Sequence, residues 1–298
     1  MKILLLGANG QVGHELRRSL ASLGEVVATM RSGGLPDGSV CEVADFDRPD
    51  TLGALVDRIG PAIVVNAAAY TAVDKAEDDA DAAFRANATA PGVLAAACVA
   101  HGIPLVHYST DYVFDGRGTR PYREDDPTAP LGVYGASKLA GEDAIRAAGG
   151  DHLILRTAWV YGAHGHNFLR TMLRLGAERD ELRVVADQVG TPTPAYLIAD
   201  ATAALLARED RPEGTFHLTA LGETSWHGFA ESIFAGAVAH GLLHRAPRVM
   251  PITTLEYPTR AARPAYSMLD VERLRKLLPW PIPDWQTGLE RVLDGMPH

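Results

Sequence analysis

The sequence predicts an α/β protein: a doubly wound parallel sheet followed by a smaller C-terminal α/β domain. Three observations carry that expectation. Short apolar runs of strand length alternate with longer stretches of helical period through the first half of the chain. Runs such as Ile3-Leu4-Leu5-Leu6 and Ile63-Val64-Val65 are apolar on both faces, which suits strands covered by helices on both sides. A glycine-rich turn stands directly after the first run and ahead of the first helical stretch.

Taken in order, residues 3–6 read as the first strand and residues 11–23 as a helix with Val12, Leu16 and Leu20 on one face. Val26-Val27-Ala28 is a second strand and residues 40–43 a short third. A helix is expected over 51–59, a strand over 63–65, and an alanine-rich helix from about residue 80 to 101. The strand over 104–108 precedes a helix over 131–148, and 152–156 is the next strand. Beyond Trp159 the pattern loosens into helical stretches near 168–177, 196–207, 226–238 and 285–293, with short strands near 184–185 and 215–218. Prolines cluster at 247–264 and 279–283, where long loops over a site are expected. The expected division is a dinucleotide-binding domain over 1–158 and a mainly substrate-binding domain over 159–298, whose later segments can return to the sheet edge.

Composition narrows the function. A chain of 298 residues, 47% hydrophobic and 22% charged, buries a substantial core. A net charge of −9 argues against nucleic acid or an anionic membrane as the main partner. Cys41 and Cys98 stand far apart and outside any ligand spacing, as in a reduced, cytoplasmic protein. The apolar opening is too short for a signal peptide, and no apolar run approaches the ~20 residues of a membrane helix.

The glycines of Gly7-Ala8-Asn9-Gly10-Gln11-Val12-Gly13 let the backbone turn tightly and approach a pyrophosphate, whose charge the helix N-terminus favours. The spacing departs by one residue from Gly-x-Gly-x-x-Gly and lacks the ending of a mononucleotide P-loop. After the second strand comes Ala28-Thr29-Met30-Arg31-Ser32, with no acid to bond a ribose 2′-hydroxyl. Arg31 and Ser32 suit a 2′-phosphate, so NADPH is the expected reductant, with NADH also admissible. Asp45-Phe46 can meet the adenine; equally, Asp45 can be a cap and Phe46 core. Small residues in Val65-Asn66-Ala67-Ala68-Ala69-Tyr70 fit a backbone running close to a cofactor, and Asn87 either bridges buried polar groups or faces water.

Tyr134 and Lys138 stand four residues apart, on one face of a helix. An ammonium near a phenol favours its ionised form, so the pair can pass a proton to a carbonyl under reduction. A surface tyrosine lying on a lysine stem has the same spacing. Ser109 and Thr110, at the end of the fifth strand, can bond a substrate carbonyl beside Tyr134, or cap the next turn.

Together the glycine turn, Asn66-Ala67-Ala68, Ser109/Thr110 and Tyr134-x-x-x-Lys138 resemble the extended short-chain dehydrogenases/reductases, enzymes with a Rossmann-type sheet. The runs 71–77, 107–114 and 156–161, with Arg263-Pro264, are similar to the dTDP-4-dehydrorhamnose reductases nearly end to end. The resemblance implies reduction of the 4-keto group of a dTDP-linked deoxyhexose. Tyr134 would be the proton donor, Lys138 would lower its pKa and hold the nicotinamide ribose, and Thr110 would bond Tyr134 or the sugar oxygen. Gly10, Gln11, Val12, Asp45, Phe46, Ala69, Tyr70, Thr71 and Tyr108 match cofactor positions. Asp111 and Trp159 would meet the sugar, and Asn167 and Arg263 the diphosphate.

One departure concerns metal. Some members of the family dimerise through magnesium held by carboxylates of the second domain. Here the helix beginning Thr193-Pro194-Ala195-Tyr196 has tyrosine where an acid would stand, and Asp200 lies further along. No metal is therefore expected, and a monomer or metal-independent dimer is. His164-Gly165-His166 reads as solvated loop histidines, lacking a cysteine or carboxylate at ligand spacing. The alternatives are a nucleotide-sugar epimerase or dehydratase, and a non-catalytic regulatory subunit of the methionine adenosyltransferase type. A dehydratase would show an Asp-Glu pair after the strand-end threonine, where this chain has Asp111-Tyr112. The missing acid after the second strand speaks against an epimerase with tightly held NAD, and the intact Thr110, Tyr134 and Lys138 against a non-catalytic subunit.

Overall fold

The computed structural model describes residues 1–35 and 38–297. Six strands alternate with helices through the first half: β1 (Lys2–Leu6), β2 (Glu25–Met30), β3 (Glu42–Val43), β4 (Ile63–Asn66), β5 (Leu105–Thr110) and β6 (His152–Thr157). They form an all-parallel sheet, and the later strand Gly214–His217 adds to its edge beside β6. The order is Gly214–His217, β6, β5, β4, β1, β2, β3. The chain runs outward from β1 to β3 and returns to β4 on the other side of β1. That reversal opens a crevice at the carboxyl ends of β1 and β4, where ligands bind in open α/β sheets. Register sets Leu6 opposite both Thr29 and Asn66, so these strand ends line one rim.

Alternation along β1 divides the core. Leu4 and Leu6 face a cluster with Val64, Leu94, Leu105 and Ile154; Ile3 and Leu5 face one with Val65, Leu155, Ile198 and Phe229. Both faces are dry, and for that reason the strands read as continuous apolar runs. Truncating Leu5 to alanine would cost about 2–5 kcal/mol in transfer and cavity terms.

Three local differences from the expected elements have physical causes. The third strand shrinks to Glu42–Val43, because Val40 turns away to bridge Gly34 and stands 91% exposed. The long alanine-rich helix contains a π turn at Arg85–Thr89 between Ala80–Phe84 and Ala90–His101. Such a turn lets a side chain point where a regular helix would not send it, and here that side chain is Asn87. Inside the proline cluster, Arg248–Ile252 forms a strand parallel to Glu181–Val185; a short pair with an open edge tolerates Pro251.

In the helix Ala195–Leu206, Asp200 accepts from Arg18 Nη2 at 2.7 Å and Ser19 Oγ at 2.6 Å. Its carboxylate thus fastens the second half of the chain to the first helix, Gln11–Ser19. Among the described residues no helix is long and apolar enough to cross a membrane.

Candidate active site

The glycine turn opens the site. Gly7 has φ +77°, and a Cβ there would come within 2.6 Å of the Ala68 nitrogen. A Cβ on Gly13 would fall 2.0 Å from the Gly7 carbonyl oxygen. Only glycine at both positions lets the turn fold under the first helix and leave a cradle at its N-terminus. Ala67 to Thr71, leaving β4, form an open wall beside it, with Ala69 and Thr71 exposed. Asn87 holds this wall in place: its Oδ1 accepts from Tyr70 N at 2.8 Å, and its Nδ2 donates to Tyr70 O and Ser137 Oγ, both at 3.0 Å. Asn87 therefore bridges buried groups and does not face water.

The helix Val133–Ala148 carries Tyr134 and Lys138. Its N-cap is Gly132, which has no side chain to cap with. Glu77 does this from a distant loop, its Oε1 accepting from Val133 N at 2.8 Å. The next residue, Tyr134, is half-buried. Burial holds its phenol up at about 12, Asp111 adds to that, and the Thr110 hydroxyl at the phenol opposes it. The Tyr112 ring meets Tyr134 edge-on, with centroids 5.5 Å apart.

Lys138 corrects one expectation. It does not lower the Tyr134 phenol, because its ammonium is held elsewhere. Nζ donates to Tyr108 O at 2.6 Å and lies 3.3 Å from His107 Nε2. Asn66 explains the second contact. Its Oδ1 accepts from Ala68 N at 3.1 Å, so its Nδ2 faces His107 Nδ1 at 3.1 Å. The imidazole proton then sits on Nε2 and points at Lys138. Two donors meet there unless the amine releases a proton. Burial acts in the same direction, lowering Lys138 to about 8 against the pull of Glu142, and driving His107 well below the usual histidine value.

On the substrate side, Thr110 Oγ1 donates to Asp111 Oδ1 at 2.9 Å. Burial raises the Asp111 carboxyl to about 6 against the opposing Ser267 and Thr110 hydroxyls, and its enclosed Oδ2 makes no well-aligned hydrogen bond. Arg263 Nη2 donates to Asp74 Oδ2 at 2.6 Å, while its buried Nη1 has no partner. Arg263, Asp111, Tyr134 and Asp74 all bear on the Tyr112 phenol. An acceptor and a donor therefore wait in one enclosure around Tyr134. Buried polar groups seldom stay unpaired unless a ligand completes them.

Other expected contacts stand differently. Asn167 is the N-cap of the helix Phe168–Glu178: its Oδ1 accepts from Arg170 N, and its Nδ2 donates to Gln11 Oε1, Gly162 O and His164 O. No donor remains for a diphosphate, and Asn167 instead steadies Gln11. The Tyr108 hydroxyl bonds Thr202 at 2.8 Å, on the far face of the sheet, so only its carbonyl serves the site. Phe46 is buried among Ala44, Leu52 and Leu55; it is core, not an adenine surface. The Trp159 ring stacks on Trp226 at 3.5 Å and 5°, which covers one of the two faces expected for a sugar. Trp159 also has φ +48°, an unusual backbone for a bulky residue and one that marks functional sites.

The rim at the end of β2 holds a feature the sequence concealed. No acid follows β2 in the chain, yet Asp45 reaches Arg31 at 3.6 Å and Asp47 reaches it at 3.3 Å. One guanidinium and two carboxylates thus share one rim. Ser32 Oγ donates to Gly34 O at 3.2 Å. Arg156 and His107 reach from the sheet to Glu142 and Lys138 of the helix Val133–Ala148, and none of Arg156, His107 and Glu142 was singled out by sequence reasoning. The available signal was a charged residue inside each otherwise apolar strand.

Comparisons agree with this geometry. A family model described as RmlD substrate binding domain matches residues 1–297. A dTDP-4-dehydrorhamnose reductase of Burkholderia thailandensis is 52% identical over 295 residues, covering 96% of either chain. The solved reductase of Clostridium acetobutylicum is 39% identical with a TM-score of 0.88, covering 99% of both chains. That of Bacillus anthracis, solved with NADP, is 36% identical with a TM-score of 0.88, covering 98% of both. A glycine cradle at a switch point, a tyrosine and lysine on one helix, and matches along the whole length lead to one conclusion: the chain belongs to the dTDP-4-dehydrorhamnose reductase family.

Proposed function

We propose that the chain reduces the 4-keto group of dTDP-4-dehydro-β-L-rhamnose to dTDP-β-L-rhamnose with NADPH, NADH also being accepted. The observation that carries this reading is the Tyr134 phenol against Thr110 and Asp111, beside the glycine cradle. A relative 36% identical holds NADP, and this chain's cradle suits the same group: side chains at 7 and 13 would fill it. When bound, the nicotinamide supplies the hydride.

The chain's own residues do the rest. A phenol held up at about 12 is fully protonated at neutral pH, so Tyr134 enters the reaction as an acid. Charge developing on O4 takes the Tyr134 proton, and Thr110 orients the exchange. The phenolate left behind is buried and costly without a cation. Lys138, one turn on and still mostly protonated at pH 7, would offset it by exchanging its bond to Tyr108 O for the phenolate. Asp111 Oδ2 accepts from a sugar hydroxyl and Arg263 Nη1 donates to the diphosphate, completing two groups that lack a well-aligned partner. Gln11 and the wall over 67–71 line the cofactor side, and Arg31 with Asp45 reads the adenosine ribose.

Residues 1–158 would supply the cofactor side and residues 159–298 most of the substrate side. The protein would act in the cytoplasm, as a monomer or a dimer that needs no metal. Purified protein is given the dTDP-4-keto sugar with NADPH and NADH in parallel, and absorbance of the reduced cofactor is followed. Turnover with both, faster with NADPH, is expected. Normal cofactor binding without turnover would sink the reading.

A further inference from the structure

His164 lies in the loop His164-Gly165-His166, which a lack of any nearby carboxylate excluded as a metal site in the sequence. The fold supplies the carboxylate. The loop crosses the first helix just beyond the glycine turn: a Cβ on Gly165 would touch the Gln11 side chain at 3.1 Å, and Asn167 Nδ2 bonds Gln11 Oε1 at 2.9 Å. This brings His164 onto His14 and Glu15, about 150 residues earlier in the chain. Ligand atoms of all three lie within 4.8 Å of one another. The imidazole rings of His14 and His164 are 3.9 Å apart between centroids, at 40°.

Two imidazole nitrogens and one carboxylate oxygen form a mixed donor set. Such a set suits zinc and its transition-metal neighbours, whereas magnesium and calcium take oxygen alone. Bonds of about 2.0–2.2 Å to one ion bring such ligand atoms to roughly 3–3.5 Å of each other. Rotation of exposed His164 and partly exposed Glu15 closes the remaining distance. Glu15 also pairs with Arg18 at 3.5 Å, but Arg18 has a closer carboxylate in Asp200 at 2.7 Å and can release it. We propose that His14, Glu15 and His164 form a binding site for a divalent transition ion of the zinc class. An ion there clasps the loop over 162–167 to the first helix, beside the cofactor turn. With three protein ligands, it keeps an open position for water.

The test is ion binding, whose outcome does not depend on the reductase reading. The full chain is stripped with a chelator and titrated with Co²⁺ while its visible absorption is recorded; competition then gives the Zn²⁺ affinity. One ion per chain is expected, with a ligand-field band. His164→Ala and Glu15→Gln should each weaken Zn²⁺ at least tenfold, while His166→Ala leaves it unchanged. The substituted side chains are solvent-accessible, so folding is retained. Absence of a stoichiometric site, or equal loss from His164→Ala and His166→Ala, overturns the proposal.

Discussion

Lys138 and Glu142 stand one turn apart on the same helix, and both are almost fully buried, at 2% and 0% exposure. Their surroundings differ completely. Arg156 grips Glu142 with Nε at 2.9 Å and Nη2 at 2.7 Å, and Arg146 adds a third bond at 3.1 Å. Burial alone would raise the Glu142 carboxyl, yet these partners hold it below the usual value. Lys138 has only a carbonyl oxygen and an imidazole, and its pKa falls to about 8. Equal burial thus gives one charge locked in place and one poised near neutrality. The paired charge is architecture; the underpaired one is where chemistry is expected.

The comparison can be broken or sharpened in four ways. Tyr134→Phe keeps the ring beside Lys138 and removes the proton, so kcat should fall about 10²–10⁴-fold. A kcat near that of the parent would move the acid elsewhere. Arg156→Met leaves Glu142 buried and underpaired, at a cost of about 3–5 kcal/mol in denaturant unfolding. A loss below about 1 kcal/mol would mean that water or Arg146 replaces the pair.

Asp111 tests the poised side by pH. Its folded value of about 6 lies above the ordinary 3.8, so the native chain binds the extra proton between those limits. Stability from this group is therefore complete below about 3.8 and lost as pH rises to about 6. Two units correspond to about 3 kcal/mol. Asp111→Asn should recover up to that amount at pH 7 while raising KM for the sugar nucleotide, measured by thermal unfolding and initial rates. An unchanged pH dependence of Tm would refute this. Smallest is Arg31→Ala, which should weaken NADPH roughly tenfold more than NADH, the scale of a charged hydrogen bond. Equal weakening would mean that Arg31 serves only Asp45 and Asp47.

Legibility in the sequence followed locality. β1 to β6, the glycine turn and the Tyr134/Lys138 spacing were readable because period, turn chemistry and helix spacing are short-range signals. The family resemblance pointed to Thr110, Asp111 and Arg263, which the fold brings into one enclosure. What escaped depends on distant partners. Asp45 is an acid at the β2 rim only in space, Glu77 caps a helix 56 residues away, and Asn167 looked like a ligand because a capping asparagine and a phosphate-binding one share the same loop position. Tyr108, whose hydroxyl points at Thr202, escaped because sequence does not say which face of the sheet a side chain takes, while Phe46 falls to the core, one of its two readings.

The short helix Val73–Ala76 and the residue after it have a further consequence. Asp74 accepts from Ala261 N at 3.0 Å and from Arg263, while Glu77 holds the start of the Tyr134 helix. One short segment is therefore a three-way joint between the cofactor wall, the reactive helix and the C-terminal half. A chimera that imports residues 159–298 from a relative must import a matching joint as well. Otherwise the graft will fold yet misalign its tyrosine, and the defect will show as lost turnover with intact cofactor binding.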